Sequence, residues 1–219
     1  MTDDNSKLDR RSVLKGIGSG FAVGTFAAVQ PTAADGSLSE EFKDAARRYD
    51  DVDSAQRAVA EHVGELQSLL ATEGVIRGND VFEIDSLVGT PIEGEMTFVS
   101  ATTRDGQLTS EIRLARDLGD RWLDVFVMPD IGQSYAAVHE NGSTTVYDPE
   151  RDDDGVVDIS SECMTQTGCV AADVDCGSCT EREAACCPDG SCYFTGDGTG
   201  DCGCQTGCFS SSCCALCGC

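Results

Sequence analysis

Fourteen cysteines fall between Cys163 and Cys219, and none precedes them in a chain of 219 residues. Thiols at that density do one of two kinds of chemistry. They oxidise in pairs to disulfides, or they stay reduced and wrap soft cations as thiolates. The positions are Cys163, Cys169, Cys176, Cys179, Cys186, Cys187, Cys192, Cys202, Cys204, Cys208, Cys213, Cys214, Cys217 and Cys219. About one residue in four is cysteine from Cys163 to the end, far above the level of a small disulfide scaffold. The segment is poor in large apolar side chains, with Met164, Val170, Val174, Tyr193, Phe194, Phe209 and Leu216. A chain so small and so poorly supplied cannot offset its ordering entropy without covalent staples. Each disulfide would contribute about 2–4 kcal/mol by restricting the unfolded chain. The adjacent pairs Cys186-Cys187 and Cys213-Cys214 are expected to bond outward to different partners.

The alternative is metal. Cys176 with Cys179, Cys202 with Cys204, Cys213 with Cys214, and Cys217 with Cys219 have spacings from which metallothioneins build thiolate clusters. The segment has no histidine, which excludes a mixed cysteine–histidine zinc site and removes the base that would activate a thiol nucleophile. Its aromatic residues, which metallothioneins generally lack, favour disulfides, as does export to an oxidising exterior.

Export is written at the other end. Asp9-Arg10-Arg11-Ser12-Val13-Leu14-Lys15 matches the twin-arginine signal, and Gly16 to Val29 is a mild apolar stretch free of charge. That stretch is too short to span a membrane, and Thr32-Ala33-Ala34 supplies small residues for a cut after Ala34. Residues 1–34 are therefore expected to be a signal handled by the twin-arginine export machinery. The expected destination is extracellular, with a membrane-retained fraction of the N-terminal part allowed. The route implies that the passenger folds before crossing.

Between the signal and the cysteines lies an acidic region, 36–150. The net charge of −24 divides into 0 over residues 1–35, −18 over 36–162 and −6 over 163–219. Such a balance repels nucleic acid and anionic headgroups. With only three lysines, it is also the composition of a protein kept soluble at molar salt, where charge repulsion is screened within a few ångströms. A haloarchaeal source is expected.

Ser37 to Glu40 has the form of a capping box. Leu38, Phe42, Ala45, Tyr49, Val52, Ala55, Val59, Val63, Leu66 and Leu70 then recur at steps of three and four, one face of a helix. The acidic cluster at residues 50–53 splits the run, with Asp53 or Ser54 as the second cap, and Gly74 ends it. Beyond Gly78 the pattern shifts to strands: Val81–Val88, Met96–Thr103, Gln107–Leu114, Trp122–Met128, Tyr135–His139 and Thr144–Tyr147. Asp105-Gly106 and Asn141-Gly142 form hairpin turns, and Gly119-Asp120 a third bend. The expected fold is an α+β domain, with N-terminal helices packed on an antiparallel meander, followed by a small disulfide-rich module over 163–219.

Catalytic signals are missing. His62 and His139 are isolated, and the sequence has no Gly-rich phosphate loop, Gly-x-Ser-x-Gly or His-Glu-x-x-His. No cofactor is implied and no enzyme is expected. Asn141-Gly142-Ser143 fits a glycosylation acceptor on a turn. Asp152, Asp153, Asp154 and Asp158 belong to a segment, 151–162, read as an exposed acidic linker with a processing site rather than a calcium loop.

The twin-arginine signal at Arg10-Arg11, the acidic middle and the cysteine array from Cys163 to Cys219 together resemble precursors of the halocin C8 family, haloarchaeal peptide antimicrobials. The resemblance implies that the cysteine-rich part is released as a toxin against an unidentified target on competitor cells. It also implies that the middle region binds and neutralises that part as an immunity protein. Tyr193, Phe194 and Phe209 are the candidate target contacts, covered by an apolar patch of the middle domain before release. Because both parts are acidic, that contact is expected to be apolar or hydrogen-bonded. An exported metal-sequestering or structural cell-surface protein is the alternative.

Overall fold

The computed structural model describes residues 40–88, 95–104, 107–151, 153–173 and 178–195. The signal, the Ser37 cap, the Asp105-Gly106 turn, Asp152, Cys176 and the cysteines from Cys202 onward, with Phe209, lie outside them.

The apolar stripe forms three helices, α1 (Glu40–Arg47), α2 (Val52–His62) and α3 (Gly64–Thr72). Asp51, rather than Asp53 or Ser54, caps α2: its carboxylate accepts from the Ser54 amide at 2.9 Å, and the Ser54 hydroxyl donates to it as well. Capping from two or three residues earlier leaves Ser54 inside the first turn, where its own amide needs a partner. Gly74 ends α3 at a φ of 69°, with Val75 N–H donating back to the Leu70 carbonyl at 2.8 Å. Phe42, Ala45, Ala55, Val59, Val63, Leu66 and Leu70 are buried, as the stripe predicts.

Among the described residues nine strands follow: β1 (Met96–Arg104), β2 (Gln107–Asp117), β3 (Trp122–Met128), β4 (Gln133–Glu140), β5 (Ser143–Tyr147), β6 (Val156–Asp158), β7 (Met164–Asp173), β8 (Ser178–Cys186) and β9 (Cys192–Phe194), with a short helix, α4 (Ile159–Glu162), after β6. Their order is β6-β5-β4-β3-β2-β1-β7-β8-β9, antiparallel throughout. N-terminal helices thus pack on a six-strand antiparallel meander. The cysteine-rich hairpin joins that meander beside β1 through the Ala101–Ala171 pair.

Strand alternation gives the meander two faces. Ile112, Leu114, Leu123, Val125, Val127, Ala136 and Val138 form one core with α2 and α3. Arg48 of the α1–α2 connection pairs with Asp130 in the β3–β4 turn. The other face carries Phe98, Arg113, Asp124, Phe126, Tyr135, Ala137 and Val146, all buried. At the β4–β5 hairpin, Asn141 and Gly142 both have positive φ, 51° and 81°, as the tight turn requires.

One expected strand is not a strand. Val81–Val88 forms a 3-10 turn over Asp80–Phe82 and then an extended loop. Side chains take up its backbone groups: Gln56 accepts from Ile84 N–H at 2.8 Å and donates to the Phe82 carbonyl at 3.2 Å, while Arg116 donates to the Glu83 carbonyl at 2.7 Å. With those groups satisfied, no ladder is needed. Phe82 and Ile84 still enter the core.

Candidate functional site: the seam beneath the cysteine-rich hairpin

The site begins in the segment whose composition reads as a linker. Arg151 and residues 153–162 are built into the fold rather than left loose. Val157 pairs with Val146 as β6 joins β5, and Val157 and Ile159 are buried. Asp158 caps α4 by accepting from the Ser160 amide and hydroxyl, at 3.0 and 2.6 Å. Gly155, at a φ of 76°, passes so close to the chain that an added Cβ would lie 2.9 Å from the Asp148 carbonyl oxygen and 3.0 Å from Leu69 Cδ2. Arg151, the one basic residue of the segment, contacts Asp153 at 2.9 Å and Asp189 at 3.0 Å, with Glu162 3.9 Å away. Asp153 and Asp154 remain exposed.

Asp189 belongs to the turn between β8 and β9, so Arg151 spans the boundary between the acidic region and the cysteines. That turn is closed by Cys187 N–H donating to the Ser191 carbonyl at 2.8 Å, and Asp189 accepts from the Ser191 amide and hydroxyl. Two disulfides brace it: Cys186–Cys192, directly opposite in the β8–β9 register, and Cys163–Cys187.

Aromatic rings meet at the centre of the seam. Phe126 stacks on Tyr135 with centroids 4.8 Å apart, and Tyr193 sets its edge to Tyr135 at 5.2 Å. Arg104, at the end of β1, holds its guanidinium carbon 5.3 Å from the Tyr135 centroid and 5.6 Å from that of Tyr193. The Tyr193 hydroxyl donates to Asp148 at 2.8 Å, and Phe194 N–H donates to the Tyr135 hydroxyl at 2.9 Å. Around these contacts, Ala184, Ala185, Cys187, Tyr193 and Phe194 share one buried cluster with Phe126, Met128, Tyr135, Ala137, Val146, Val157 and Ile159. Burial, together with the negative charge of Asp148, pushes the Tyr193 hydroxyl up to about 12.

On the same sheet face, Asp124 accepts from Arg113 Nε at 2.9 Å and lies 3.3 Å from His139 Nε2. Burial opposes its ionisation, but the His139 hydrogen bond and the Arg113 charge prevail and hold the carboxyl below its usual range. The Thr144 hydroxyl lies 3.0 Å from His139 Nδ1, fixing the ring from the other side. His62 sits at the end of α2, across the sheet, where its carbonyl accepts from Ser134. The two histidines are not brought together.

Of the candidate target contacts, Tyr193 and Phe194 lie in β9 and are buried. The cause is the set of apolar neighbours supplied by β3 and β4. Among the described residues Cys163 pairs with Cys187 and Cys186 with Cys192 as disulfides, and no cluster of His, Cys, Asp and Glu is placed to hold a metal. No described helix is long and apolar enough to cross a membrane. Asn141, the glycosylation candidate, lies exposed on its turn.

The contact is not free of charge pairing, contrary to the expectation from net charge. Arg104 and Arg151 concentrate positive charge at the seam of two acidic parts. Sequence reasoning missed both arginines, Tyr135 and Asp148. The available signal was Arg151 itself, a lone base in an acidic run. Comparison with protein-family models, with curated proteins and with solved structures finds no match.

Proposed function

We propose that the chain is a secreted antimicrobial precursor of the halocin C8 kind. Its cysteine-rich module, 163–219, is released as the toxin, and its middle domain, 36–150, binds and neutralises that module. One observation carries the reading. Tyr193 and Phe194 are buried against Phe126 and Tyr135, yet no disulfide can cross the boundary, because every cysteine lies at or beyond Cys163. A cut within 151–162 therefore converts a tether into a non-covalent complex. Asp153 and Asp154 are exposed in the turn before β6, where a protease can approach. Once cut, the module keeps its staples, and the middle domain keeps the cleft that covers the two aromatics. Neutralisation is then occlusion, since the rings offered to a target are the rings held by the sheet.

The test starts from the full oxidised chain, cut within 151–162 and separated under denaturant. The module should inhibit growth of competitor cells, and the middle domain added back in equal amount should abolish inhibition. Middle domain carrying Phe126→Ala and Tyr135→Ala should fail to protect. A module without inhibitory activity, or protection unaffected by those substitutions, overturns the proposal.

A further inference from the structure

We infer that the acidic domain templates the disulfide pairing of the cysteine-rich hairpin, acting as a folding aid built into the same chain. Four thiols, Cys163, Cys186, Cys187 and Cys192, can pair in three ways. One way joins the neighbours Cys186 and Cys187, and a second exchanges their partners. The third, Cys163–Cys187 with Cys186–Cys192, is the one present.

The hairpin's own register allows it, since Met164 stands opposite Cys186 and Cys163 therefore faces Cys187, but much of what holds that register comes from outside the hairpin. Cys163 directly follows α4, its N–H donating to the Ile159 carbonyl at 3.2 Å, and Ile159 is buried beside Val146 and Val157. One thiol is therefore positioned by the meander. Its partner Cys187 is buried in that same cluster, most of whose members lie between Phe126 and Ile159. Cys186, one residue earlier, is only partly buried and stands opposite Cys192 in the ladder. Successive side chains of extended chain point to opposite sides, so fixing Cys187 against the meander turns Cys186 towards Cys192.

The groups that press β8 and β9 into this orientation belong to the acidic domain and to the segment that follows it. Arg151 holds Asp189 of the turn, Asp148 holds Tyr193, and the Tyr135 hydroxyl takes the Phe194 amide. Without them, a hairpin with so small an apolar payload has little to hold the register that sets Cys186 opposite Cys192 and Cys187 opposite Cys163. Each bridge forms by thiol–disulfide exchange with a small disulfide such as oxidised glutathione. One cysteine thiolate displaces a glutathione thiolate to give a mixed disulfide, and the second cysteine thiolate displaces the other. Two electrons and two protons thereby leave the protein, and two molecules of reduced glutathione depart. The inference rests on the seam geometry and not on toxicity, because its readout is pairing.

The experiment refolds the reduced full chain in a glutathione buffer and maps the bridges by proteolysis and mass spectrometry. Wild-type chain oxidised in strong denaturant sets the untemplated level. The wild type should form Cys163–Cys187 and Cys186–Cys192 several-fold above that level. The combination Tyr135→Phe, Asp148→Asn and Arg151→Gln should fall to it. Leu66→Ala, which weakens the core on the far face of the sheet, should keep native pairing. If circular dichroism shows that the triple variant loses its sheet, Arg151→Gln alone takes its place under the same criterion. Native pairing in the seam variant, or native pairing in denaturant, overturns the inference.

Discussion

The hydroxyl of Tyr193 donates to Asp148 Oδ2 at 2.8 Å, across 45 residues of chain. Asp148 closes the end of β5, where its own N–H donates to the Gly155 carbonyl at 2.8 Å. A single residue thus receives β9 through its carboxylate while its backbone anchors the segment that leads there. Removing this contact should loosen both.

Tyr193→Phe keeps the ring against Tyr135 and removes the bond to Asp148. A hydrogen bond to a charged group contributes about 1.5–3 kcal/mol, so a loss of that order is expected. Tyr193→Ala also empties the space beside Tyr135 and Arg104 and should cost about 3–5 kcal/mol, by analogy with other large aromatic truncations. Guanidinium unfolding of the oxidised chain in concentrated salt measures both. Equal midpoints for the two variants would show that the ring itself carries no weight.

Alkali should open the seam from the same residue. Its hydroxyl is raised to about 12 in the fold against about 10 in an unfolded chain. The folded state therefore binds the proton more tightly. The stability this supplies is complete below about pH 10 and disappears as pH climbs through about 12. In a chain cut within 151–162, dissociation of the module should rise across that window. Tyr193→Phe should start from weaker association and lose the tyrosinate-linked part of the rise. Sedimentation across the titration distinguishes the two curves, and superposable slopes would count against Tyr193 as the sensitive group.

Gly155→Ala tests whether the segment before β6 is held by packing. Its φ of 76° is strained for any side chain, and the new methyl would meet the Asp148 carbonyl oxygen at 2.9 Å. Strain of this kind costs on the order of 1–3 kcal/mol, with the clash added. Gly142→Ala has a comparable φ of 81° but open space around it, so it should show the strain alone. Limited proteolysis should cut Gly155→Ala within 151–162 faster than wild type and leave Gly142→Ala close to wild type. Identical rates for all three chains would mean that Gly155 does not control access.

The helices and the meander were legible because their signals are local. The stripe from Phe42 to Leu70 repeats at helical spacing, and Asn141-Gly142 can hardly be anything but a tight turn. Val81–Val88 misled because its β-branched composition matches a strand while its backbone partners, Gln56 and Arg116, lie far away in sequence. The seam was hidden for the same reason on a larger scale. Nothing near Ala171 indicates that it will pair with Ala101, and nothing near Arg151 indicates that Asp189 will come within 3.0 Å. Net charge misled about the interface because it averages over a surface, whereas two arginines act at one place.

Acid should weaken the fold through Asp124, on the sheet face that also carries the aromatic pair. Its side chain and that of Arg113 are almost fully covered, at 4% and 2% exposure, so neither charge has water to fall back on. Its carboxyl is held below the ordinary range, which means the unfolded chain takes up the proton first as pH drops. The stability Asp124 supplies is thus complete above its unfolded value of about 3.9 and is lost as pH falls through the lower folded value. Asp124→Asn abolishes this dependence but leaves Arg113 buried against a neutral amide, a change that typically costs about 3–5 kcal/mol. At neutral pH the variant should therefore be much less stable than wild type. Towards pH 2 the two should converge, as the wild type loses what the variant never had. Chemical unfolding at a series of pH values reads the gap between them, and a gap that stays constant into strong acid would rule out Asp124 as the group responsible.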